Sequence, residues 1–460
     1  MRLPRSSLRQ GEMPWSGRRS VSAKGLRTSN ACWVTAVLLE QVPRTADTRV
    51  HPMHPRGIRD SRIVRRRLLD ALGLGRSTVE PLPEEESMRR SEQRILTTHT
   101  GSLPRPAALL ESAEGPAHDA LLRESVVDIV RHQLDVGLDI VNDGEFGKSS
   151  WAAYVLERIS GFEIRHDELI PLNWLGRDRE RFSQFFAKEM PSALTGSPTE
   201  VCVGPITYQG EAFIRRDLDN LKAALPPGAE AFFTAVAPAS TGYNARNEYY
   251  SSDREYVYAI ADALKQEYRA IIDAGQLLQV DDAVLANMYD YLVQQSPERY
   301  REWAQLRVEA LNHALDGIPE DRVRYHVCFG SWHVPHVADA PLEDIIDLIL
   351  QVRARAYSIE AANPRHEHEW RAWQTHNLPE GKLLIPGIVT HHLTTVEHPR
   401  LVADRIIRFA DLVGKQNVIA GTDCGFAQSQ GIQRVHPSVM WAKFQSLVEG
   451  ARLASEELWS

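Results

Sequence analysis

Along residues 88–460 the apolar positions follow two alternating rhythms. Short runs dense in Val, Ile, Leu and aromatic residues read as buried strands, and apolar positions spaced three and four apart read as helices. The short runs fall at 95–102, 138–141, 201–204, 231–236, 277–280, 323–328, 357–360, 383–386 and 417–420. Residues 118–136 carry the helical spacing in Leu121, Leu122, Val126, Val127, Ile129, Val130 and Leu134, and Gly137 stops the helix. Further helices are predicted at 254–273, 297–315, 342–353 and 398–413. Such sustained strand–helix alternation predicts an α/β fold with a parallel sheet, closed as a (β/α)8 TIM-type barrel with inserted loops at its carboxyl-end mouth. The strand candidates outnumber the eight places of a barrel, so at least one lies outside it. An open doubly wound sheet is the alternative, weakened in its dinucleotide-binding form because no G-x-G-x-x-G follows the first strand. The irregular inserts 146–199 and 240–253 are expected to cap the mouth or to build a homo-oligomer contact. Tyr154, Phe162, Trp174, Phe182, Phe185 and Phe186 give the first insert apolar residues of its own.

Residues 1–87 break the pattern. They are rich in Arg, Ser and Pro, with Arg65-Arg66-Arg67 and Glu84-Glu85-Glu86 as like-charge runs. Such a segment buries too little apolar surface to offset its ordering entropy. A transit peptide fits the Arg and Ser content, but Glu12, Glu40, Asp47 and Asp60 intrude. The expectation is a disordered or non-native extension without chemistry, with Met88 opening a single catalytic barrel over 88–460.

Composition narrows the class. Of 460 residues, 43% are hydrophobic and 25% charged, as in a soluble globular protein with a large core. A net charge of −8 argues against a nucleic-acid partner. The longest apolar run, 31–39, is far too short to span a membrane. Cys32, Cys202, Cys328 and Cys424 are too few for a disulfide framework, and with abundant His they suit a reducing cytoplasm.

In a parallel barrel the chemistry collects at the carboxyl ends of the strands. Those positions hold His99, Ser102, Asp143, Glu145, Asp281, Asp282, His326, Cys328, Glu360, His391, His392, Asp423 and Cys424. Bland roles exist for several. Asp281, Asp282 and Asp423 could cap the helices that follow, and His391 and His392 could be surface loop residues. Glu360 closes a buried Tyr-Ser-Ile run and needs a partner. Alternation puts His326 and Cys328 on one strand face, and with Glu360 and Cys424 they make a plausible tetrahedral zinc shell. Its negative ligands exceed the metal's charge, which favours activation of a substrate thiol as thiolate. A peptidase role fits less well, since no H-E-x-x-H occurs. His366-Glu367-His368-Glu369-Trp370 reads as a solvated helix start after Pro364.

His326-Val327-Cys328, Tyr357-Ser358-Ile359-Glu360 and Gly421-Thr422-Asp423-Cys424-Gly425 resemble the zinc motifs of cobalamin-independent methionine synthase, in its catalytic C-terminal barrel, over about residues 93–450. The resemblance implies zinc on His326, Cys328, Glu360 and Cys424, methyl transfer to the homocysteine thiol, and a place in methionine biosynthesis. It also implies that Ser102, Glu145 and Asp281 hold the amino acid, and that His392 donates a proton, with His391 an equal rival. The chain has no room for the family's second barrel and is similar to its short branch, which epoxyalkane–coenzyme M transferases also resemble. The partners are then a small-molecule thiol and an alkyl donor. For the coenzyme M reading a sulfonate needs positive charge, which an acid-lined mouth does not supply. A barrel of the uroporphyrinogen-decarboxylase type, without zinc, and a non-catalytic zinc-stabilised scaffold are the readings from other classes.

Overall fold

The computed structural model describes residues 87–170, 175–242 and 245–460. The described residues fall in one compact unit. The expectation for 1–87 lies, except for Ser87, outside them, as does Trp174. The core is a parallel barrel of eight strands: β1 (Leu96–Thr97), β2 (Ile140–Val141), β3 (Glu230–Val236), β4 (Leu277–Asp282), β5 (Val323–Val327), β6 (Ala356–Ile359), β7 (Leu383–Val389) and β8 (Ile419–Thr422). Its hydrogen-bonded order is β1-β8-β7-β6-β5-β4-β3-β2. Between the two ends of that order, Asp139 donates its N–H to the Thr97 carbonyl (3.0 Å) and Thr98 Oγ1 donates to the Ile140 carbonyl (3.0 Å), bringing β1 and β2 together. The arrangement is the expected (β/α)8 barrel, not an open sheet.

Every residue of the eight strands but Glu230 is buried, which is why they appeared as continuous apolar runs. The surplus strand is the one read at 201–204. It runs as Ser197–Cys202 and lies in a separate three-stranded sheet with Phe162–Ile170 and Arg246–Asn247. Both inserts therefore build one small sheet beside the barrel. Leu175, Phe186 and Ala193 form a satellite core in the first insert, with Phe182 and Phe185 packed against it. Helices Pro116–Val136, Asp253–Asp273, Pro297–Ala314, Leu342–Ile349 and Pro399–Val413 follow the expected segments closely. Helices Glu211–Ala224 and Pro437–Leu458 were not singled out by their spacing.

Candidate metal centre

Strand register brings the first ligands together. Asp281 on β4 pairs with His326 on β5, which pairs with Ser358 on β6. Cys328 extends that ladder, its N–H donating to the Asp282 carbonyl at 3.2 Å. Cys424 arrives from the turn after β8. The ligand atoms of His326, Cys328 and Cys424, all buried, lie within 4.8 Å of one another. The two sulfurs are 3.5 Å apart, close to the roughly 3.8 Å between two thiolates that share a tetrahedral zinc at about 2.3 Å. His326 Nδ1 is 3.2 Å from Ser358 Oγ, while its Nε2 is buried with no hydrogen-bond partner among the described residues. The hydrogen bond from Cys424, together with burial, holds the Cys328 thiol far above its usual pKa. A bound cation reverses that preference, because it stabilises the thiolate directly. The donor set and the orphaned imidazole nitrogen fit a soft divalent metal.

Glu360 stands apart from that trio. Its carboxylate belongs to a second buried group with His391 and Asp423, again within 4.8 Å. Oε1 accepts from the Phe329 N–H (2.8 Å) and Oε2 from Asn363 Nδ2 (2.8 Å), so the partners it needed are present. Burial and the neighbouring Cys328 raise its pKa well above the usual carboxylate range. Asp423 does not cap its own helix. Its Oδ1 accepts the N–H groups of Ala361 and Ala362, at 2.8 Å each, and so fixes the turn that carries Glu360. Gly387, at a register shift in β7, leaves room for it: a Cβ there would lie 2.1 Å from Asp423 Oδ1. Asp282 does act as a cap, accepting from Leu285 N at 3.2 Å, whereas Asp281 instead accepts from Gln279 Nε2 at 2.8 Å.

A cavity of about 220 Å³ opens over the trio, and its lining includes Ser102, Glu145 and Asp281 as well as His326, Cys328 and Cys424. Residues from five strand ends thus meet in one space. The turns are laced by backbone bonds, Leu103 N–H to the Gly144 carbonyl (3.1 Å) and Phe426 N–H to the Ser102 carbonyl (2.7 Å). Glu145 has a left-handed backbone, φ +61°, costly for a residue with a side chain and typical of functional turns. Its Oε2 is buried without a hydrogen-bond partner among the described residues. Burial pushes Asp281 up to about 7, with His326 opposing and Glu145 adding to the rise.

The histidines depart from a surface-loop reading. His391 is 1% exposed, and burial drives its pKa well down. His392 lies beside it, ring centres 4.8 Å apart, and 5.8 Å from His333. Burial, then the nearby His333, His336 and Arg434, hold His392 down to about 4, so it is neutral at pH 7. Neither Glu360 nor His392 lines the cavity among the described residues. The segment from His366 is a short helical turn, Glu367–Arg371, but it is not simply solvated. His366 is buried and paired with Glu369 (2.7 Å) and Asp339 (3.2 Å). Sequence reasoning missed Trp151, Trp332 and Arg434, which also line the cavity. They lie in aperiodic loops, where spacing carries no signal.

Residues 244–443 match the family model described as the catalytic domain of cobalamin-independent synthase, a span that contains His326, Cys328, Glu360 and Cys424. A methionine synthase of Saccharolobus islandicus is 23% identical over 373 residues, covering 79% of this chain and 95% of its own. The 2-hydroxypropyl-CoM lyase of Xanthobacter autotrophicus is 23% identical over 410 residues, covering 81% and 98%. The fold matches that of a B12-independent methionine synthase from Shewanella, with a TM-score of 0.62 at 18% identity over 79% of this chain and 99% of that one. The resemblance to the cobalamin-independent methionine synthase family is thereby borne out.

Proposed function

We propose that the chain is a zinc-dependent enzyme that transfers an alkyl group to a thiol, with homocysteine as acceptor and methionine as product. The observation that carries this reading is the convergence of His326, Cys328 and Cys424 under a cavity that also presents Ser102, Glu145 and Asp281. His326, Cys328 and Cys424 would hold zinc, and Glu360, on the adjoining strand end, is the fourth donor proposed from the motifs. When bound, zinc supplies a lowered pKa for the substrate thiol, so that sulfur is presented as thiolate at neutral pH. The residues of the chain do the rest. Glu145 and Asp281 offer carboxyl oxygens to an ammonium group, and Ser102 a hydroxyl and backbone to a carboxylate. The proton that the thiol gives up goes to solvent, since His392 does not line the cavity among the described residues. As sulfur bonds to the donor's carbon, the carbon–heteroatom bond breaks and the leaving group takes the electron pair. His392, with His391 as its rival, is the proton donor to that group proposed from the motifs.

A second reading has its own support. The lyase relative covers nearly its whole length on this chain, and Arg434 places a cation in the cavity that the acid-rich strand ends had not revealed. The acceptor could then be an anionic thiol other than homocysteine, opening an epoxide. Metal analysis and X-ray absorption at the zinc edge test the shared claim. About one zinc per chain is expected from the closed ligand set, and a true thiol substrate adds one sulfur to the metal's shell. A protein purified without zinc, or a spectrum that no thiol alters, overturns the proposal. Methyl transfer to homocysteine from any folate or corrinoid donor separates the two readings.

A further inference from the structure

We infer that Arg434, held by Gln428 and set against Trp332, is the anchor for an anionic group, carboxylate or sulfonate, on the small molecule that reacts at the metal centre. The inference rests on the thiol reading above and adds the charge its substrate carries. Arg434 lines the same cavity as Cys328 and Cys424, on the loop between β8 and helix Pro437–Leu458. The acids Asp281 and Asp282 enter from β4, which in the barrel order stands four places from β8 either way round. The cavity lining therefore holds both acids and a guanidinium.

Three observations set the half-buried Arg434 apart from the buried Arg158, Arg405 and Arg324. Its position is fixed: the backbone N–H donates to the Phe426 carbonyl (2.9 Å), Nε donates to Gln428 Oε1 (2.5 Å), and the guanidinium lies 5.5 Å from the Trp332 ring centre. Its two Nη groups make no protein hydrogen bond, and it forms no ion pair with a carboxylate, among the described residues. By contrast, Arg158 is spent on Asp217, Arg405 on Glu367 and the Ile388 carbonyl, and Arg324 on Thr98 and the His99 carbonyl. A partly dehydrated guanidinium with its planar fork free is matched best by a two-oxygen anion. Among the described residues, burial lowers its pKa while the nearby Cys424 and Cys328 raise it. Arg434 could therefore serve merely to balance the ligands' charge, and the test must separate that role from substrate binding.

The experiment is calorimetric titration of the full chain as isolated with its metal, using 2-mercaptoethanesulfonate, 3-mercaptopropionate and neutral 2-mercaptoethanol. Ethanesulfonate, propionate and 1-propanol serve as sulfhydryl-free counterparts. An anionic thiol should bind at least about tenfold tighter than the neutral one. In Arg434→Met that ratio should fall toward one with metal content unchanged, and Arg434→Lys, which keeps charge but not the fork, should fall between. Which anion gains most from Arg434 tells carboxylate from sulfonate. An unchanged ratio in Arg434→Met overturns the anchor, and so does loss of metal in step with loss of binding. Should Arg434→Met fail to fold, Arg434→Lys and Gln428→Leu read the same ratio. Should the thiols bind no tighter than their counterparts, the thiol reading falls, while the preference for ethanesulfonate or propionate over 1-propanol still decides the anchor.

Discussion

Glu145 reaches the cavity only because Gly101, on the neighbouring turn, has no side chain. A Cβ at Gly101 would lie 2.6 Å from Glu145 Oε1 and 2.9 Å from Thr234 Cγ2, and the glycine's φ of +142° is one that side chains resist. Gly101→Ala should therefore displace the carboxylate and cost about 1–3 kcal/mol of stability. Under the proposed function its signature is a raised KM for the amino-acid acceptor. Chemical denaturation alongside steady-state kinetics checks both, and an unaltered KM would remove Glu145 from substrate binding. Its place at a strand end already named Glu145. That it needs the missing Cβ of Gly101 is a fact of the loops' approach.

At the scale of elements, the loops after β5 and β6 are joined by His366, which bridges Asp339 and Glu369. Burial opposes its charge, yet the hydrogen bonds to Asp339 and Glu369, with Glu360 close by, raise it from 6.5 to about 10. A histidine raised in the folded state stabilises fully below its unfolded pKa, near 6.5, and that contribution is lost as pH rises through about 10. Unfolding free energy measured from pH 6 to pH 10 should drop by on the order of a few kcal/mol more in the parent than in His366→Gln. Parallel curves for the two proteins would contradict the bridge. The helix-start reading of this segment followed from its charges. Its inward turn depends on Asp339, a residue that sequence order places well upstream.

At the scale of the whole molecule, the first insert is clamped to the barrel by a buried ion network. Arg158 pairs with Asp217 (2.8 Å) on helix Glu211–Ala224 and with Glu267 (3.3 Å) on helix Asp253–Asp273, and Tyr154 and Tyr208 each donate to Glu267 at 2.8 Å. Removing one partner strands buried carboxylates, so Arg158→Met should lose about 3–5 kcal/mol in urea denaturation, and Arg158→Lys should restore little, lacking the fork. A loss under about 1 kcal/mol would place the network among the weak surface pairs. This clamp also helps fix the segment that carries Trp151 into the cavity. None of its long-range pairings could be read from the periodicity of 146–199.

The barrel and the order of the ligand motifs were determined by sequence alone. Buried parallel strands show as apolar runs, alternation fixes which residues share a face, and strand ends open on one mouth, all within a few residues of chain. The tertiary structure decided what such local rules cannot reach. It sent the strand Ser197–Cys202 to a side sheet, drew His326, Cys328 and Cys424 together while leaving Glu360 with His391 and Asp423, and turned His366 inward. It also brought Arg434 into the same cavity lining as the acids. Each outcome depends on groups far apart in the chain competing for the same buried space and the same hydrogen bonds, and that competition is settled only by packing.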